Sequence, residues 1–150
     1  MRIRLLVSQE ERKKLQKELE NKGFVIDDRN YDYTIVSNSP VDKIIVFGDE
    51  ELFIINPNDV IYFESFGNDI VCHTIRGDYK VKYRLYELEH LFNEKGYMRV
   101  SNSFIVNVNH IRSIKPTINS KFILTMNNRD KVEVTRSYYI MFKRFIEGGM

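Results

Sequence analysis

The sequence has one cysteine and no long apolar run, and each scarcity removes a class of protein. A single thiol cannot close an internal disulfide, so Cys72 excludes a disulfide-stapled secreted scaffold and fits a reducing compartment. Its setting in the apolar stretch IVCHTI reads as core packing. No window reaches the roughly 18 uninterrupted apolar residues of a membrane-crossing helix. The opening MRIRLLVSQEERKK has too short an apolar run for a secretory signal, so the expected location is the cytoplasm. Internal repeats and low-complexity tracts are also missing.

Catalytic signatures are equally scarce. There is no phosphate-cradling glycine loop, no HExxH, no CxxC and no GxSxG. His73, His90 and His110 stand far apart and lack Cys or acidic neighbours at metal-ligand spacing, so no metal, no cofactor and no enzymatic activity are expected. Asp27 and Asp28 follow the apolar triplet 24–26, a superficial likeness to the acidic pair of phosphate-accepting receivers. The segment is far too short for such an alternating strand–helix domain, and a polar turn is the simpler reading.

What is present is a globular composition: 43% hydrophobic, 13% aromatic and 29% charged residues in a chain of 150. That length allows one ordinary domain, or one domain with a small appendage. The net charge of +2 hides an asymmetry. Residues 1–96 hold 14 Lys/Arg against 18 Asp/Glu, whereas residues 97–150 hold 9 against 3. A basic final third points either to an anionic partner or to a merely solvated face.

The chain divides near the Ser/Asn/Pro-rich segment SNSPVDK, residues 37–43, giving a first unit over residues 1–43 and a second over 44–150. In the first, residues 2–7 alternate as a strand. Ser8 with Glu11 forms a capping box, Leu15 and Leu19 share a helix face, and Gly23 closes the helix. Short strands are expected over 24–26 and 33–36. So thin an apolar stripe predicts packing on a neighbour, and self-association is the expectation.

The second unit changes rhythm. Strands are expected over 44–47, 52–55, 60–66, 69–75, 79–83, 97–100, 104–108, 111–114, 122–126 and 131–135. Gly67-Asn68, Arg76-Gly77-Asp78 and residues 127–130 supply the hairpin turns. One helix carries Leu85, Leu88, Leu91 and Phe92 before Gly96. Another carries Tyr138, Phe142, Phe145 and Ile146 before Gly148 and Gly149.

Three loops at strand ends, 66–69, 99–103 and 136–138, mix amides, hydroxyls and guanidinium groups. An Asn amide donates and accepts together and so matches an adenine edge. An Arg fork matches guanine O6 and N7, and Ser, Lys or backbone N–H groups hold phosphate oxygens. Rival readings stay open: Asn102 shaping a turn, Arg136 capping a helix, and Lys80, Lys82 and Arg84 on a solvated strand face. Glu64 and Glu87 read as structural, because a carboxylate facing an anionic partner is costly.

The strings DVIYFESFGNDIVCHTIRGDYKVKYRLYELEHLF, GYMRVSNSFIVNVNHIRSI and FILTMNNRDKVEVTRSYYIMFK occur in order over the last two thirds of the chain. Together they resemble the LytTR family of bacterial DNA-binding domains, most closely in MRVSNSFIVNVNHI. The resemblance implies a mainly β fold, an elongated stack of antiparallel sheets with one or two short helices, here preceded by a small α+β unit. It implies a transcription regulator of the response-regulator kind, without a receiver, that presents loops to successive major grooves. Asn102 and Arg136 then fall at base-contacting positions, and Asn68 or Asp69 at that of the first loop. Ser101 stands where many members carry His. Phosphate contacts are expected from Lys80, Lys82, Arg84, Arg99, Ser101, Ser103, Ser137 and Tyr138. Double-stranded DNA with paired sites is the expected partner, and the expected state is a homodimer. The alternative is a protein-interaction module that partners or inhibits a related regulator without binding DNA.

Overall fold

The computed structural model describes residues 1–36, 43–92 and 96–148, in which thirteen strands and three α-helices are found. Residues 37–42 of the expected linker, and Gly149, lie outside the described residues. Contacts between residues divide the chain into two compact units, Met1–Pro40 and Val41–Met150.

The first unit comprises β1 (Arg2–Leu6), α1 (Gln9–Asn21), β2 (Val25–Ile26) and β3 (Tyr33–Val36). The Ser8 hydroxyl accepts from the Glu11 N–H at 3.2 Å and starts α1. Its end is a Schellman motif: Gly23 takes φ +89°, its N–H donates to the Glu20 carbonyl, and the Phe24 N–H donates to that of Leu19. The strands run parallel in the order β2-β1-β3. Among the described residues of this unit only Ile3 and Leu5 are buried apolar residues, and α1 buries none. Asp27 forms the polar turn: its Oδ1 accepts from the Arg29 and Asn30 N–H groups, and these bonds hold its carboxyl below the ordinary value.

The second unit begins with β4 (Ile44–Phe47), β5 (Leu52–Ile55), β6 (Val60–Phe66), β7 (Asp69–Thr74) and β8 (Gly77–Val81). Helix α2 (Leu85–Leu91) leads to β9 (Tyr97–Arg99) and β10 (Phe104–Asn107). These seven strands make one antiparallel sheet in the order β5-β4-β8-β7-β6-β10-β9. Then β11 (Ile111–Pro116), β12 (Phe122–Met126) and β13 (Lys131–Val134) form a second sheet, and α3 (Arg136–Gly148) follows.

Strand β6 holds the unit together. Its residues Val60, Ile61, Tyr62 and Phe63 are all buried because both faces of the strand are covered. Val60 and Phe63 join Ile44, Val46, Leu85, Leu88 and Phe92 in one cluster, while Ile61 and Tyr62 join Leu124, Met126, Val132 and Phe142 in another. Alternation in β12 and β13 supplies the inward face of the second cluster. Cys72 is fully buried, and burial pushes its thiol up to about 12.

Several strand boundaries differ from expectation by one or two residues, and at β8 both ends shift. Residues 79–83 read as a strand after an Arg76-Gly77-Asp78 turn, whereas β8 starts at Gly77, paired with Thr74. The Thr74 hydroxyl is the reason. It accepts from the Arg76 N–H at 3.2 Å and donates to the Gly77 carbonyl at 2.8 Å, closing a turn of only Ile75 and Arg76.

Candidate nucleic-acid interface

The first loop is the β6–β7 turn. Gly67 takes φ +63° while Asn68 stays in the negative range, the sign pattern of a type II′ hairpin turn. Phe66, Asn68 and Asp69 are exposed around it. The Asp69 carboxylate meets the Lys80 Nζ of β8 at 3.2 Å, so two expected contacts are paired with each other. The Lys82 Nζ lies 4.7 Å from the centre of the Phe47 ring. Arg84 is exposed just before α2, and its N–H donates to the buried Glu87 carboxylate at 2.9 Å. Glu87 is therefore a cap inside the fold.

The second loop joins β9 to β10. Here Arg99 faces inward along the chain: Nε donates to the Ser101 carbonyl at 2.8 Å, Nη2 to the Asn102 carbonyl at 2.7 Å, and Nη1 to Glu89 Oε2 at 3.1 Å. Three of its five guanidinium N–H donors brace the loop and its neighbour Glu89. Ser101 is buried, and its Oγ accepts from the Ser103 N–H at 3.1 Å. The expected phosphate roles of Arg99 and Ser101 thus fall on side chains already bonded within the loop. Asn102 is exposed at the crest of the loop.

Three hydrogen bonds tie the loops into a row. The Ser65 N–H beside the first loop donates to the Ser103 carbonyl at 2.8 Å, and the Thr135 N–H before α3 donates to that of Val100 at 3.0 Å. The Tyr138 hydroxyl donates to Asn102 Oδ1 at 3.3 Å. Arg136 and Ser137 are exposed in the first turn of α3, which contains no acidic residue. The positive end of that helix dipole is therefore not offset by the helix's own first turn. The arrangement brings Asn68, Asp69, Lys80, Asn102, Ser103, Arg136, Ser137 and Tyr138 to one end of the sheet, with Lys82 one residue beyond the Ile70–Val81 pair.

Glu64 is structural. His73 sits between two carboxylates, Nε2 2.8 Å from Glu64 Oε2 and Nδ1 2.8 Å from Asp78 Oδ1, with the Tyr62 ring stacked 4.1 Å away. Two residues had no signal in the sequence. Glu89 reads as an ordinary exposed helix position until Arg99 is seen to meet it, and Phe66 reads as the last apolar residue of a strand. Among the described residues no helix is long and apolar enough to cross a membrane.

Comparison with known proteins gives the family and the fold. The sequence model of the LytTr DNA-binding domain matches residues 50–147. The sensory transduction protein LytT of Bacillus anthracis is 33% identical over 98 residues, covering 65% of this chain and 40% of the relative. Transcriptional regulatory protein YpdB of Escherichia coli (strain K12) is 29% identical over 106 residues, covering 70% and 43%. This chain therefore spans about two fifths of the length of the curated relatives it matches. A solved LytTr DNA-binding domain from Bacillus cereus superposes with a TM-score of 0.67 at 30% identity, covering 72% of this chain and 98% of that one.

Proposed function

This chain belongs to the LytTr DNA-binding domain family, and from that premise we propose that it is a sequence-specific transcription regulator reading the major grooves of double-stranded DNA. One observation carries the reading: the bonds Ser65 to Ser103, Thr135 to Val100 and Tyr138 to Asn102 align three polar loops on a packed β scaffold. Loops held this way are preorganised for a rigid partner.

In this reading Asn102 takes an adenine edge, Arg136 a guanine edge, and Asn68 a base beside the first loop. Asp69 accepts from a cytosine amino group once Lys80 turns from it to a phosphate. Lys82, Arg84, Ser103 and Ser137 hold further phosphates, while Tyr138, also expected on a phosphate, instead orients Asn102. Arg99 and Ser101 act indirectly, by shaping the loop that carries Asn102. Residues 44–150 form the reading domain. Residues 1–43 mediate self-association, so that two copies engage paired sites on one duplex. A strict monomer in sedimentation at high micromolar concentration overturns that last element.

The test of the main reading is selection of bound duplexes from a random pool. A short motif should emerge, bound in the nanomolar range with steep salt dependence. Asn102→Ala and Arg136→Ala should each relax the preference at one base. Failure to select any motif overturns the reading.

A second reading, a protein-interaction module that partners a related regulator, is favoured by edge strand β5, where Leu52 is 63% and Ile54 71% exposed. A stable complex with such a regulator, together with no selected duplex, would establish it.

A further inference from the structure

We propose that Phe66 is a specificity-determining residue of this interface, reading the 5-methyl group of a thymine in the major groove. The inference rests on the DNA-reading proposal above and names a contact that the polar loop residues cannot make.

Phe66 is 71% exposed, and neither buried cluster includes it. It does no packing work that would explain a phenyl ring at the end of β6. Its position is specific. Phe66 stands opposite Asp69 across the turn, and its chain neighbour Ser65 bonds to Ser103 of the Asn102 loop. The ring therefore belongs to the row of loops, between the Asp69–Lys80 pair on one side and Ser103 on the other. Around it the turn offers an amide, a carboxylate and an ammonium group. This is one apolar spot in a polar setting, unlike a broad docking patch.

That pattern complements the major-groove edge of an A·T pair. Thymine presents one methyl group beside its O4 acceptor, and adenine presents N7 and an amino group. Phe66 supplies apolar surface for the methyl, and the Asn68 amide, two residues along, supplies donor and acceptor for the adjoining polar atoms. The two-residue turn fixes the spacing between them, because the paired strands on both sides hold it. No bond is made or broken; the discrimination comes from removing the methyl and ring surfaces from water.

The experiment starts from a duplex selected with the full chain. Binding is measured on that duplex and on versions in which each thymine in turn is replaced by uracil, which deletes only the methyl group. One replacement should weaken the parent protein about fourfold, the worth of one buried methyl. The same replacement should leave Phe66→Ala unaffected, while Phe66→Leu keeps the sensitivity. Thermal unfolding of both variants should match the parent, since the side chain is outside the core. If a duplex is selected but no uracil position separates the parent from Phe66→Ala, the Phe66 inference fails and the DNA reading stands. If no duplex is selected, both fail.

Discussion

The Tyr138 hydroxyl donates a hydrogen bond to the Asn102 Oδ1 across 36 residues of sequence, at 3.3 Å. The bond orients the Asn102 amide from the side of α3, leaving its two Nδ2 protons to point elsewhere. An amide that is already oriented loses less freedom when it meets a base.

Tyr138→Phe removes this orientation while keeping the ring that packs beside the second cluster. Selective binding should weaken by about 0.5–1.5 kcal/mol, the net worth of one such bond. Binding to a scrambled duplex should fall far less. Anisotropy titrations on the two duplexes measure the difference, and equal losses on both would assign Tyr138 to phosphate alone.

Arg136 and Lys82 should fail in different ways. Arg136→Ala is expected to cost about 1–3 kcal/mol at one base position and to relax selectivity there. Lys82→Ala should weaken all sequences alike and lower the slope of log affinity against log salt by about 1. Salt titrations on matched and mismatched duplexes separate the two outcomes.

Much of this interface was legible because its residues are polar, local and at strand ends. Gly67-Asn68 announces a tight turn, and Asn102 and Arg136 lie where strands β9 and β13 finish. The direction of Arg99 was not legible. Phosphate oxygens and loop carbonyls attract a guanidinium alike, and here the Ser101 and Asn102 carbonyls take it together with Glu89, ten residues away on α2. The pairing of Lys80 with Asp69 depends in the same way on the β7–β8 register. Parallel order in the first unit was hidden for a different reason. Residues 24–26 and 33–36 have strand composition, but direction is set by how the chain returns over α1, which no local pattern encodes. The start of β8 turned on a single Thr74 hydroxyl.

Cys72 offers a check on the core that is independent of DNA. Its thiol is pushed from 9.0 up to about 12, chiefly by burial, with the Asp78 charge adding to the effect. The folded state therefore favours the neutral thiol. The stability tied to this is fully present below pH 9 and is lost as pH rises from there toward 12. At about pH 8 the native thiol should be inert to a disulfide reagent, and its reaction rate should follow denaturant-induced opening. Rapid stoichiometric labelling of the native protein would contradict the buried placement.

Arg99 gives the sharpest separation between a brace and a contact. Its three hydrogen bonds run to the Ser101 and Asn102 carbonyls and to Glu89, and its side chain is only 16% exposed. A lysine in its place keeps the charge but cannot span three acceptors lying in different directions, because its ammonium is a single point on a flexible stem. Arg99→Lys should thus destabilise the fold by about 1–2 kcal/mol and lower affinity for the selected duplex. Glu89→Gln should do less, since Glu89 is half exposed and screened by solvent. The decisive quantity is the salt slope. If Arg99 works by holding the loop, Arg99→Ala weakens binding with the slope unchanged, because no phosphate contact disappears and no additional counterion is retained. A slope reduced by about 1 would mean that the guanidinium leaves the loop carbonyls and reaches a phosphate when DNA arrives.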